Sequence, residues 1–188
     1  MVKNNISQNN DTLSILNRQL SNVSAKNQFV AFQIGEETYG INIMLVQEII
    51  RYNEPTRVYN ANPMIKGLIN FRGQVIPIID MHKKFNLKEV EYDKYTVVIV
   101  FEANEKTMGM IVDRVSDIVS FADEDIQIVD QEFADDIKTE HLQGIAKAED
   151  EIVFLLDPER VLSFEELKEL EGKEEVQEFE KEVSEDDS

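Results

Sequence analysis

The side chains able to do acid–base, nucleophilic or metal chemistry in this 188-residue sequence include two histidines, 38 carboxylates and ordinary hydroxyls. There is no cysteine, which removes disulfides, thiol catalysis and thiolate metal sites. His82 follows Asp80 in the run Asp80-Met81-His82. A metal would need a third and a fourth ligand, and no His or carboxylate spacing supplies a recognisable set. The plainer reading of His82 is an exposed residue opening a short helix. His141 precedes a strand and stands alone. Neither histidine has a Ser or Asp partner at a spacing that nucleophilic catalysis uses. Glycosidase-type work needs two carboxylates facing across a cleft, and abundance is not pairing. The seven glycines are scattered at turns, so no phosphate-cradling loop exists. This inventory points to a binding protein rather than an enzyme, with no metal and no cofactor. A formal charge of −19 repels phosphate backbones, so no nucleic acid partner is expected.

The elements that position these residues read as β. Short Val-, Ile- and Phe-rich runs are bounded by turn residues. Phe29–Ile34 with Thr38–Ile43, Gly67–Phe71 with Gln74–Ile79, Val97–Glu102 with Thr107–Val112, and Leu142–Lys147 with Glu151–Leu156 predict four hairpins. Pro77 has no N–H for a ladder, which predicts an edge strand or a bulge. Short helices are predicted at Asn62–Lys66 and Met81–Phe85. The longest uninterrupted apolar run is five residues, as in Val97–Phe101, too short for a membrane helix or a signal core. A cytoplasmic protein without direct membrane insertion is expected. Residues 1–27 are polar and read as disordered, although Leu13, Leu16 and Leu20 share one face of a conceivable short helix. Residues 28–166 form the folded domain, and 167–188 an acidic C-terminal helix and tail.

An internal repeat outweighs any single strand. Gly40-Ile-Asn-Ile-Met-Leu-Val-Gln-Glu-Ile-Ile50 aligns with Gly109-Met-Ile-Val-Asp-Arg-Val-Ser-Asp-Ile-Val119, and Val75–Asp80 aligns with Ile152–Asp157. The halves run over about 28–88 and 97–165. Each is too small to bury much core alone. Two small antiparallel barrels, with a third apolar core between them, are therefore predicted. Arg72 aligns with Glu149 and Glu48 with Asp117, so one half carries an acid and a base where the other carries two acids. That difference predicts surfaces divided between different partners.

Asn70-Phe-Arg-Gly-Gln-Val-Ile-Pro-Ile-Ile-Asp80 resembles the signature of the CheW family of bacterial chemotaxis coupling proteins, with Phe71 where the family has Leu. Tyr39–Ile43, Val46–Ile50, Gly109–Val119, Gln143–Ala146 and Phe154–Asp157 resemble further family segments in the same order. At 188 residues there is no room for a kinase or a receiver, so the resemblance is to the free-standing coupling protein. It implies an all-β fold of two intertwined SH3-like barrels and no enzymatic activity. It also implies an adaptor that joins the cytoplasmic tips of chemoreceptors to the regulatory domain of the CheA histidine kinase. Kinase and coupling modules can close into rings within membrane-associated arrays.

The matched motifs imply a receptor-binding set of Val46, Glu48, Lys66, Gly67, Arg72, Val98, Gly109 and Val115. These would line an apolar groove between the barrels, with charge at one side, for a receptor helix. Glu48 and Arg72 are expected to form an ion pair. Kinase contacts are expected on strand ends that include Ile126, Ile128 and Phe133. Ser163 and Glu166 fit a capping box, and Leu167 and Leu170 would pack on a barrel. A rival reading, a small barrel that binds a ligand or polysaccharide, would want clustered aromatics, and the chain has no Trp. A scaffold of the same family serving another motility array is a second rival.

Overall fold

The first half of the repeat supplies β1 (Gln28–Ile34), β2 (Glu37–Asn42), β3 (Val46–Arg51), β4 (Ile65–Phe71) and β5 (Gln74–Asp80), followed by the short helix α2 (Met81–Lys84). The second half supplies β6 (Val97–Ala103), β7 (Lys106–Val112), β8 (Arg114–Ser120), β9 (Ile126–Ile128), β10 (Leu142–Ala148) and β11 (Glu151–Leu156). A helix, α1 (Asn10–Ser21), precedes both. The structure is a computed structural model that describes residues 10–21, 26–129, 140–163 and 165–169.

All four predicted hairpins form, each on a two-residue turn. Positive φ at Gly35, at Arg72 and Gly73, at Asn104 and Glu105, and at Glu149 gives the backbone twist that matches right-handed strands. The loops are tighter than the sequence alone suggests because Asn104, Glu105 and Glu149 take positive φ without being glycine.

The duplication is visible strand by strand. β1, β2 and β3 recur as β6, β7 and β8, and β4 and β5 recur as β10 and β11. The strands do not stay with their own half. One sheet runs β8-β1-β2-β11-β10-β9 and the other β3-β6-β7-β5-β4, so each half lends its first hairpin to the other half's sheet. This exchange intertwines the two barrels. It also corrects the purely antiparallel expectation: β2 pairs with β11, and β5 with β7, in parallel. These two contacts join strands of different halves, so no tight turn has to connect them.

Each barrel has its own small core. Phe29, Ala31, Val119, Phe121, Ala146 and Val153 fill one, and Phe71, Ile76, Ile78, Val98, Val100 and Ile111 fill the other. The third core lies between them, around Phe32, Ile41, Ile49, Phe101, Met108 and Met110.

Of the two expectations for Pro77 the edge fails, while a bulge does lie in the β4–β5 ladder, on the β4 side between Ile65 and Gly67. β5 is an interior strand, not an edge, and Pro77 pairs with Leu68 of β4. Parallel pairing with β7 begins one residue later, at Ile78 with Gly109. In the other half it extends back to Val153 with Thr38, because Phe154 has the N–H that Pro77 lacks. The predicted helix at Asn62–Lys66 is instead a turn. Asn62 Oδ1 accepts from the Met64 N–H, and β4 has started by Ile65. The Asn side chain competes with helical backbone bonding and favours the turn.

The N-terminal expectation is also corrected. Residues 10–21 form a helix that packs on β3, with Leu16 buried and Leu13 against the central core. Asn17 fixes it. Its Nδ2 donates to the Ile49 carbonyl at 3.1 Å and its Oδ1 accepts from the Ile49 N–H at 2.9 Å. β3 is an outer strand, and α1 covers its free edge. At the other end the capping box forms as expected. Ser163 N–H donates to Glu166 at 2.6 Å and Glu166 N–H donates to Ser163 Oγ at 3.2 Å. Leu167 packs on the central core. Leu170 and the acidic tail beyond it lie outside the described residues.

Gly67 and Gly144, equivalent in the repeat, face backbone. A Cβ on Gly67 would run into the Thr56 carbonyl, and one on Gly144 would approach the Gln127 carbonyl at 2.9 Å. Thr56 bridges to Leu68 beside this contact. Gly67→Ala is therefore expected to cost about 1–3 kcal/mol, the usual penalty of overpacking. Urea denaturation of the two proteins checks it.

Candidate docking surface

Arg72 projects from the β4–β5 turn, where it and Gly73 both have positive φ and Asn70 Oδ1 accepts from the Gly73 N–H at 2.9 Å. Its Nη2 lies 2.8 Å from Glu48 Oε2, so the expected ion pair forms. Its guanidinium also lies 4.9 Å from the centre of the Phe71 ring. Arg72 is 66% exposed and Glu48 29%. A pair this open adds only about 0.2–1 kcal/mol to stability. Glu48 stands beside a bulge, since Val46 pairs with Phe101 but Glu48 with Val100. The bulge sets Gln47 out of register, and its Nε2 donates to Thr107 Oγ1 at 3.2 Å. The pair thus joins β3 to the turn after β4, and these are the two outer strands of the five-stranded sheet.

Lys66 continues the charged surface with its ammonium 5.1 Å from the centre of the Tyr92 ring. Tyr92 packs on Tyr52 at 4.4 Å and donates to Asp80 Oδ2 at 3.1 Å. Burial, and then the Asp80 carboxylate, push the Tyr92 phenol well above its usual range, so it stays a donor. Tyr52 is raised likewise by burial and by its bond to Glu54.

The valines do not form the open groove expected of them. Val46 and Val115 lie in the central core and Val98 in the core of the first barrel, all buried. On β3 the bulge at Gln47 breaks the strand's alternation, so Val46 faces inward while Glu48 faces out. Gly109 is buried as well. A Cβ there would meet Ile78 Cδ1 at 2.6 Å and Val98 Cγ1 at 2.7 Å, so packing alone requires a glycine.

Among the expected kinase contacts, Ile126 is half-buried and Ile128 is 77% exposed, on β9 at the outer edge of the six-stranded sheet. Phe133 lies outside the described residues.

Three side-chain arrangements were not legible in sequence. His82 is buried, not exposed, with Nε2 2.8 Å from Asp113 Oδ1 and Nδ1 3.0 Å from the Lys88 carbonyl. Asp113 Oδ2 in turn accepts from the Gly35 N–H at 2.7 Å, which ties α2 to both halves of the repeat. Lys84 Nζ lies 3.1 and 3.0 Å from the two carboxylate oxygens of Glu166. The third is the Asn17–Ile49 contact. With both ring nitrogens occupied, His82 is expected to take up no phosphate when mixed with a histidine kinase and radiolabelled ATP. Stable label on His82 would contradict the arrangement. Among the described residues no cluster of three or more His, Asp or Glu could hold a metal ion, and no helix is long and apolar enough to cross a membrane.

A family model described as the CheW-like domain matches residues 28–166, the whole duplicated unit. The chain belongs to the CheW family. It is 40% identical over 149 residues to the chemotaxis protein CheW of Klebsiella aerogenes, covering 79% of this chain and 89% of that one. To the chemotaxis protein CheW of Bacillus subtilis it is 30% identical over 135 residues, covering 72% and 86%. The fold matches the crystal structure of the scaffolding protein TtCheW from Thermoanaerobacter tengcongensis with a TM-score of 0.67 at 28% identity, over 72% of this chain and 91% of that chain. Membership of the CheW family makes the chain a non-catalytic adaptor of chemotaxis. The ligand- or polysaccharide-binding barrel is thereby set aside.

Proposed function

We propose that the chain couples the cytoplasmic tips of chemoreceptors to the CheA histidine kinase, and that Glu48, Arg72 and Lys66 form the receptor-facing surface of its first barrel. The observation that carries this reading is the Arg72–Glu48 pair. It presents an exposed guanidinium from a turn within the family's signature segment, on an otherwise acidic protein. Arginine, with tryptophan and tyrosine, is among the residue types that most often anchor a protein contact, and this one is held in one geometry against an aromatic ring. The counterpart positions in the second half, Glu149 and Asp117, carry only acids, which supports a different partner there. β9 offers that partner an exposed isoleucine on an outer strand, suited to a barrel-to-barrel contact with the kinase regulatory domain. Gly67 and Gly109 serve the surface through the backbone they allow, and Val46, Val98 and Val115 through the cores beneath it. Array recruitment and ring closure with the kinase would follow from two such separate contacts.

Cosedimentation tests the coupling. Receptor-bearing membranes should bring down the kinase regulatory domain when the chain is present and leave it in the supernatant when the chain is omitted. Equal pelleting in both cases would contradict the adaptor reading.

A further inference from the structure

The β3 edge already holds a helix. Leu13 and Leu16 of α1 belong to the same apolar cluster as Val46 and Val115. They stand three residues apart, on one helical face. The next residue, Asn17, bonds both peptide groups of Ile49, the neighbour of Glu48. Apolar side chains laid into the core and a polar side chain reading the strand backbone are what a docked partner helix would supply. We propose that α1 is a resident occupant of the β3 edge and competes there with the receptor helix, so that the chain binds receptors in earnest only when α1 lifts away. The proposal rests on the receptor reading of the Glu48–Arg72 surface, because that surface lies on the same strand.

Two features suit α1 to a displaceable role. It has 12 residues, a length at which a helix is marginal without tertiary contacts. Within its described side chains only Leu16 is fully buried, while Ser14, Ile15 and Arg18 are exposed. Among the described side chains the contact rests on Leu13, Leu16 and Asn17, and Asn17 makes it specific.

The test titrates the full chain with a recombinant cytoplasmic signalling hairpin of a chemoreceptor from the same genome. Asn17→Ala and Leu16→Asp should each bind it about tenfold more tightly than the wild type, the gain expected if α1 is docked in about nine molecules of ten. Because the chain has no cysteine, Arg18→Cys accepts a single nitroxide label. Saturating receptor hairpin should shift the spectrum of that label from that of an ordered helix surface to the sharper lines of an unanchored segment. Unchanged or weaker binding of both variants, or a label spectrum that is the same at saturation, overturns the competition. Arg72→Glu separates this failure from that of the underlying reading. If Arg72→Glu weakens binding while the α1 variants change nothing, the receptor surface stands and the competition falls. If Arg72→Glu binds as tightly as the wild type, the receptor reading fails and takes the competition with it.

Discussion

Replacing Lys84 by methionine is expected to cost about 3 kcal/mol of stability, near the lower bound for breaking a buried ion pair by removing one partner. Lys84 and Glu166 are only 7% and 14% exposed, and both carboxylate oxygens face the ammonium. The substitution leaves Glu166 with its Ser163 contacts and a sliver of solvent, which keeps the penalty at the low end. Adding Glu166→Gln to Lys84→Met should recover much of the loss, since the amide oxygen still accepts from the Ser163 N–H and no charge is left unpaired.

The effect is pH-dependent in a defined direction. Burial pushes the Glu166 carboxyl up, but the Ser163 N–H and Lys84 together outweigh it and hold the group below its usual range. A lowered folded-state value means that the stabilisation is complete above the ordinary carboxylate pKa and is lost as pH falls through the folded value. The stability gap between wild type and Lys84→Met should therefore be full at neutral pH and should shrink below about pH 4. Urea denaturation across that range reads it directly. A gap that grows on acidification would show that another contact is being broken.

Arg72→Glu carries the largest expected functional effect. The pair is exposed, so the fold should lose no more than about 1 kcal/mol. Receptor affinity should fall about 30-fold, the loss of one interfacial hot spot of about 2 kcal/mol, because two acids now face each other on an acidic surface. Binding to the kinase regulatory domain should be unchanged if it uses β9. The reversed pair, Glu48→Arg with Arg72→Glu, divides two mechanisms. Restored receptor binding, with a coupling energy in the double-mutant cycle, means that the pair holds local geometry. A swap as defective as the single variant means that Arg72 itself meets a receptor acid.

The sequence carries the repeating parts of this fold plainly. Gly40 on Gly109 marks matched strand interiors and Asp80 on Asp157 matched strand ends, and both aspartates cap the turn of helix that follows. The Glu48–Arg72 pair was legible because signature and repeat both point to it. The exchange of hairpins between sheets was not, since alternation along a strand shows which face is buried but not which strand lies alongside. Lys84 meets Glu166 across 82 residues of sequence and His82 meets Asp113 across 31, contacts that only the exchanged topology creates. Leu13 and Leu16 marked a helix too short to predict alone, and nothing local announces that Asn17 will find the Ile49 backbone. The valines differ from expectation for a related reason. Motif position singles out Val46, Val98 and Val115, while only the packed cores show that they lie beneath the surface.

Kinase activity in reconstituted arrays addresses the coupling role most directly. Receptor-bearing membranes, kinase and ATP should give strong kinase stimulation with the wild-type chain. With folded Arg72→Glu, stimulation should drop to near the level seen without the chain, while kinase binding persists. Full stimulation by Arg72→Glu would remove the first-barrel surface from the coupling mechanism and leave Arg72 as a solvated turn residue.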